Sequence, residues 1–167
     1  MKLTLLGTGT SMGVPQIGCS CAVCRSDDPR DRRNRTSALI EHRGIRLLID
    51  TSPELRLQLL AANVGHINAV LYTHHHADHV HGIDDLRSIS VATGRSIALY
   101  GPPETIAHIV HRFNYIFDDA EVPVPGTSKP RLEPNVLTAG QATDIAGLTV
   151  LPLAFGHGNI EVFGGKY

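Results

Sequence analysis

The sequence predicts an α/β domain built on a mixed sheet. Three observations carry that expectation: strand and helix patterns alternate through residues 45–117, hairpin patterns flank that stretch, and residues 1–167 are 42% apolar and 19% charged. Such a composition supports a packed core and excludes wholesale disorder. At 167 residues the chain is sized for one domain.

The elements follow in order. Residues 2–6 read as a first strand that runs into the loop Gly7-Thr8-Gly9-Thr10-Ser11-Met12-Gly13. Its glycine spacing fits neither a dinucleotide fingerprint nor a P-loop, so it reads as a tight backbone turn near a site. Residues 14–35 form a long loop that holds all three cysteines. Residues 37–42 and 45–50 form a hairpin about Arg43-Gly44. Ser52 and Pro53 then open a helix as N-cap and first residue, running to about residue 62 and ending near Asn63 or Gly65. A buried strand at 68–73 leads into a histidine cluster, and a helix is expected over 80–91. A strand at 96–100 and a proline-initiated helix to about residue 117 follow. Four prolines make 118–135 an extended connector. Residues 141–145 and 148–153 form a second hairpin about Ala146-Gly147, and the tail after His157 opens another strand or turn.

Composition also limits function. The net charge of −1 gives no general field for nucleic acid or membrane, and the longest apolar runs are too short to span a bilayer. The N-terminus breaks too early for a signal peptide, so a cytoplasmic protein is expected. Four arginines crowd into residues 30–35. They read either as an anion contact or as a solvated loop balanced by Asp27, Asp28 and Asp31.

The strongest signal is His74-His75-His76-Ala77-Asp78-His79, in which every residue but Ala77 is a metal-ligand type. In an extended segment alternate side chains share a face, so His74 and His76 project together. As the chain turns into a helix, Asp78 and His79 can face a second position. Imidazole and carboxylate donors suit zinc, manganese or iron. His157 arrives from another strand end. His75 is expected to point away from the metals, His81 to be solvated or to support a ligand, and His42, His66, His108 and His111 to have ordinary structural roles.

This motif resembles that of the metallo-β-lactamase superfamily. The resemblance implies an αββα sandwich, of which this chain holds the N-terminal half and the first strands of the second half. It implies that His74, His76 and His157 bind one metal, that Asp78 and His79 bind another, that Asp78 serves in catalysis, and that Asp50 orients ligand histidines from behind. The glycine loop, the cysteine loop, Asn34-Arg35-Thr36-Ser37 and Gly82-Ile83-Asp84-Asp85-Leu86-Arg87 resemble the branch that contains the phosphodiesterase accessory to carbon–phosphorus lyase. That branch implies two divalent ions, zinc or manganese, and opening of a small cyclic phosphate by a hydroxide bridging the ions. The phosphate is expected to contact Arg35. Cys19, Cys21 and Cys24 imply a structural zinc, or else three free thiols; the family's fourth zinc ligand has no counterpart here. The family's bridging aspartate and last histidine also lie downstream of His157, which implies a C-terminally truncated domain and a possible homodimer. The expected partner is thus a small phosphodiester, with neither membrane nor nucleic acid. Alternatives are a tRNA 3′-processing endonuclease and a metal-binding fragment without turnover.

Overall fold

Arg43 and Gly44 both adopt positive φ, 49° and 83°, and close the first hairpin where it was expected. The computed structural model describes residues 1–167. Strands β1 (Lys2–Gly7), β2 (Ser37–His42) and β3 (Ile45–Ile49) pair antiparallel. Strands β4 (Ala69–Leu71), β5 (Ile97–Gly101) and β6 (Leu132–Val136) then add in parallel, so the six-stranded sheet follows chain order. Helices α1 (Leu55–Ala61), α2 (Ala77–Val80), α3 (Leu86–Thr93), α4 (Pro103–Arg112) and α5 (Asn114–Phe117) make the crossovers. A second antiparallel sheet holds β7 (Thr143–Ile145), β8 (Leu148–His157) and β9 (Ile160–Lys166).

Two cores result, one on each face of the first sheet. Leu48, Val70 and Leu99 pack under the helices with Leu55, Ile83, Leu86 and Ile109. Leu47, Ala69 and Leu71 pack against Ile145, Val150 and Phe163 of the second sheet. Adjacent residues of β3 and β4 thus serve opposite layers, as the two-residue period of a strand requires. The layers run helix, sheet, sheet, in agreement with the expected α/β class.

Four expectations need correction. Helix α1 starts at Leu55 rather than after Ser52, because the buried Ser52 hydroxyl donates to Gln58 Oε1 (2.9 Å) and its carbonyl accepts the Leu55 N–H (2.9 Å). The expected helix over 80–91 is divided at Gly82. The Gly82 N–H donates to the Thr51 carbonyl at 2.9 Å, and a Cβ at Gly82 would collide with the Ser52 carbonyl. This close approach ties α2 to the end of β3. Finally, the connector ends at β6, a strand the prolines concealed. Pro134 is tolerated there because β6 is an edge strand, with one side unpaired. The helix expected to reach residue 117 also breaks, at Phe113, between α4 and α5. No helix is long and apolar enough to cross a membrane.

Candidate metal centre

Sheet order brings the ends of β3 and β4 side by side, and Asp50 and Thr73 leave the sheet there. Asp50 is buried and takes φ +59°, the left-handed region that Asp tolerates better than most residues. That turn aims its carboxylate back at β4. Oδ1 accepts the Thr73 N–H at 2.8 Å, and Oδ2 accepts the Thr73 hydroxyl at 2.8 Å. His79 Nδ1 also lies 2.7 Å from Oδ2. Since the carboxylate only accepts, Nδ1 carries the proton, and Nε2 of His79 is left to face Asp78 Oδ2 at 3.3 Å. The Thr73 hydroxyl spends its one O–H on the Asp50 hydrogen bond, so it accepts from His74 Nδ1 at 2.9 Å. His74 therefore presents the lone pair of Nε2.

That nitrogen meets His76 Nδ1 at 3.1 Å. Two nitrogens on one tetrahedral zinc, with bonds of about 2.0 Å, lie about 3.3 Å apart. The ligand atoms of His74, His76 and His157 all fall within 4.8 Å of one another. His157 reaches the trio from the end of β8, and the Phe163 N–H of β9 donates to the Thr73 carbonyl at 2.9 Å, which docks the second sheet on the site. The residues present thus fit a divalent metal at His74, His76 and His157. Burial, followed by the neighbouring His79, His76 and His157, pushes the His74 pKa down to about 4, so the ring is neutral and able to ligate at pH 7. Burial also opposes charge on His79, but the Asp50 hydrogen bond and charge outweigh it and raise its pKa.

A cavity of about 540 Å³ opens over these side chains. Asp78 and His79 line it beside the trio, and the His79 ring lies 4.0 Å from that of His74. Ser11 and Thr36 add hydroxyls, while Phe155, Val162 and Phe163 form an apolar wall. Ser11 belongs to the glycine loop, which is held close because a Cβ at Gly7 would collide with the Arg35 carbonyl. Sequence reasoning missed Thr73, Ser11 and Thr36. Each carried a signal: Thr73 adjoins the histidine motif, Ser11 lies in the glycine loop and Thr36 in the Asn34–Ser37 motif.

Arg35 is held by two protein partners. Its Nη1 meets Glu54 Oε1 at 2.6 Å and its Nε donates to the Ser11 carbonyl at 2.9 Å, so the guanidinium braces the glycine loop from behind the cavity. Arg30 likewise pairs with Asp28. Cys19, Cys21 and Cys24 bring their sulfurs within 4.8 Å of one another, a set that fits three positions of a tetrahedral zinc site. Backbone N–H groups of Gln16 and Cys24 point at the sulfurs of Cys24 and Cys21, at 3.4 and 3.5 Å. His75 does point away from the cavity, onto α4, where it stacks on His108. His81 is exposed, its ring edge-on to Phe113.

Residues 45–165 match the family profile described as a beta-lactamase superfamily domain. The chain belongs to the metallo-β-lactamase superfamily. Within that superfamily it lies close to the PhnP branch: the crystal structure of a diphosphatase from the PhnP family superposes with a TM-score of 0.86 at 40% identity, over 98% of this chain and 60% of that one. A ribonuclease Z from Bradyrhizobium sp. is 31% identical over 90% of this chain and 48% of its own length. Zinc-bound PqqB from Methylobacterium extorquens, at 23% identity and a TM-score of 0.71, shares the fold over 98% of this chain and 58% of its own. A Porphyromonas gingivalis octanoyltransferase is 44% identical over 99% of this chain, but the match covers 33% of that protein. This metallo-β-lactamase-fold chain therefore spans between a third and three fifths of the length of these relatives. The superfamily fold implies divalent metals, and its members of this kind are metal-dependent hydrolases.

Proposed function

We propose that the protein is a phosphodiesterase that opens a small cyclic phosphate, phosphoribosyl or nucleotide, with two divalent ions, zinc or manganese. The observation that carries this reading is the His74, His76 and His157 trio, with ligand atoms within 4.8 Å, under a cavity in a chain 40% identical to a PhnP-family diphosphatase. His74, His76 and His157 hold the first ion, and Asp78 and His79 hold the second. Bound there, such ions lower the pKa of water to about 7 and neutralise charge that builds on phosphoryl oxygens.

The remaining work falls to side chains. Asp50 fixes the His79 tautomer directly and that of His74 through Thr73, so both rings meet the ions without rearrangement. Ser11 and Thr36 offer hydroxyl donors to phosphate oxygens, and Phe155, Val162 and Phe163 give the same cavity an apolar lining. A phosphate contact from Arg35 falls to Nη2, since Nη1 pairs with Glu54 and Nε with the Ser11 carbonyl. Cys19, Cys21 and Cys24 hold a separate structural zinc.

The ribonuclease Z relative supports a second reading, cleavage of RNA. The net charge of −1 and the cysteine loop weigh against it. The test assays zinc- or manganese-loaded protein on a phosphoribosyl cyclic phosphate, a cyclic nucleotide and a tRNA precursor. Ring opening that is lost in His76→Ala supports the proposal. Cleavage of the tRNA precursor alone favours the second reading, and metal binding without turnover on any substrate leaves an inert metal-binding chain.

A further inference from the structure

A separate cluster lies on the other side of the histidine run. The His75 ring stacks on His108 of α4, with centroids 4.1 Å apart and planes inclined by 24°. Glu104 precedes His108 by one helical turn, so the two project from the same face of α4. Glu104 Oε1 lies 3.7 Å from His108 Nε2, beyond a hydrogen bond. The ligand atoms of His75, Glu104 and His108 all lie within 4.8 Å of one another. The same helix also secures the third member: Arg112 Nη1 donates to the His75 carbonyl at 2.6 Å, taking the backbone and leaving the ring nitrogens to Glu104 and His108.

Two imidazoles and a carboxylate form a donor set suited to borderline divalent ions. Three protein ligands, with water filling the rest, match an open zinc site once the stacked rings turn their in-plane lone pairs toward a common point. His75 is buried while Glu104 and His108 reach the surface, so the cluster has both a fixed base and a route for entry. Glu104 suits the first turn of α4 and pairs with His108 one turn on, so the reach of His75 to both is what completes a three-donor set.

We propose that His75, Glu104 and His108 form an additional site for one divalent transition-metal ion, zinc foremost, distinct from the His74–His76–His157 centre. His75 lies between His74 and His76, so an ion held here clamps the histidine run to α4. The site stands on these three side chains and is independent of the phosphodiesterase reading.

The test is zinc uptake by the intact chain, measured by equilibrium dialysis with metal analysis. The wild type is compared with Glu104→Gln, His108→Gln and the double variant, each checked for fold by circular dichroism. The site predicts that His108→Gln loses one equivalent of zinc, that Glu104→Gln binds that equivalent more weakly, and that the other equivalents stay. Uptake unchanged in the double variant overturns the proposal, as does loss of every equivalent from a folded variant. Should a variant fail to fold, the wild type decides by NMR. Zinc titration shifts the ring signals of His75 and His108 together, and signals that stay still at saturation overturn the site.

Discussion

Asp50 accepts three hydrogen bonds in a buried position at the end of β3, from the Thr73 backbone, the Thr73 hydroxyl and His79. Asparagine tolerates the same left-handed backbone but offers an amide in place of one carboxylate oxygen. Asp50→Asn is therefore expected to fold while lowering metal affinity about 10- to 100-fold, as loss of a ligand's hydrogen-bond partner typically does. Competition with a chelator checks this; wild-type affinity in the variant would show that the hydrogen bonds do not set the ligands. At this scale much of the site was legible. The alternation of His74 and His76 in an extended segment places both on one face, and the structure puts their nitrogens 3.1 Å apart. The stacking of His75 on His108 was not legible, since it depends on where α4 docks rather than on any local spacing. The Arg35 pair with Glu54 escaped for the same reason.

At the scale of elements, turns that need an unusual backbone announced themselves. Arg43-Gly44 and Ala146-Gly147 all take positive φ, and both hairpins form where expected. Boundaries set by tertiary contact did not. The break at Gly82 exists because the turn after α2 presses on Thr51 and Ser52, and helical periodicity carries no trace of that contact. Gly82→Ala puts a methyl group into the Ser52 carbonyl and is expected to cost about 1–3 kcal/mol, the usual range for overpacking. A denaturant midpoint equal to the wild type's would contradict the close approach. Strand β6 was concealed because Pro134 is costly in a central strand and harmless on an edge, and edge position is a property of the assembled sheet. Along β3, Leu48 fills the core under the helices and Leu47 the core between the sheets. Either residue changed to Ala is expected to cost about 2–5 kcal/mol in chemical denaturation, and a variant near the wild-type value would remove that residue from its core.

For the whole molecule, strands β3 and β4 belong to both cores, and the Phe163 N–H ties the second sheet to the Thr73 carbonyl beside the histidine run. The two layers are thus expected to unfold together; separate transitions for near- and far-ultraviolet circular dichroism would show that the second sheet melts independently. On the proposed reading metal binds only the folded arrangement, because His157 joins His74 and His76 only when the second sheet is docked. Zinc at 100 times its dissociation constant should therefore add about 2.7 kcal/mol of stability, reversed by a chelator. An unchanged melting temperature would separate metal binding from the fold. Most directly, the central claim is tested by anomalous diffraction at the zinc edge from crystals grown with zinc. The account predicts a peak bonded to His74, His76 and His157. Zinc at the cysteines alone, with no peak among these three histidines, would contradict it.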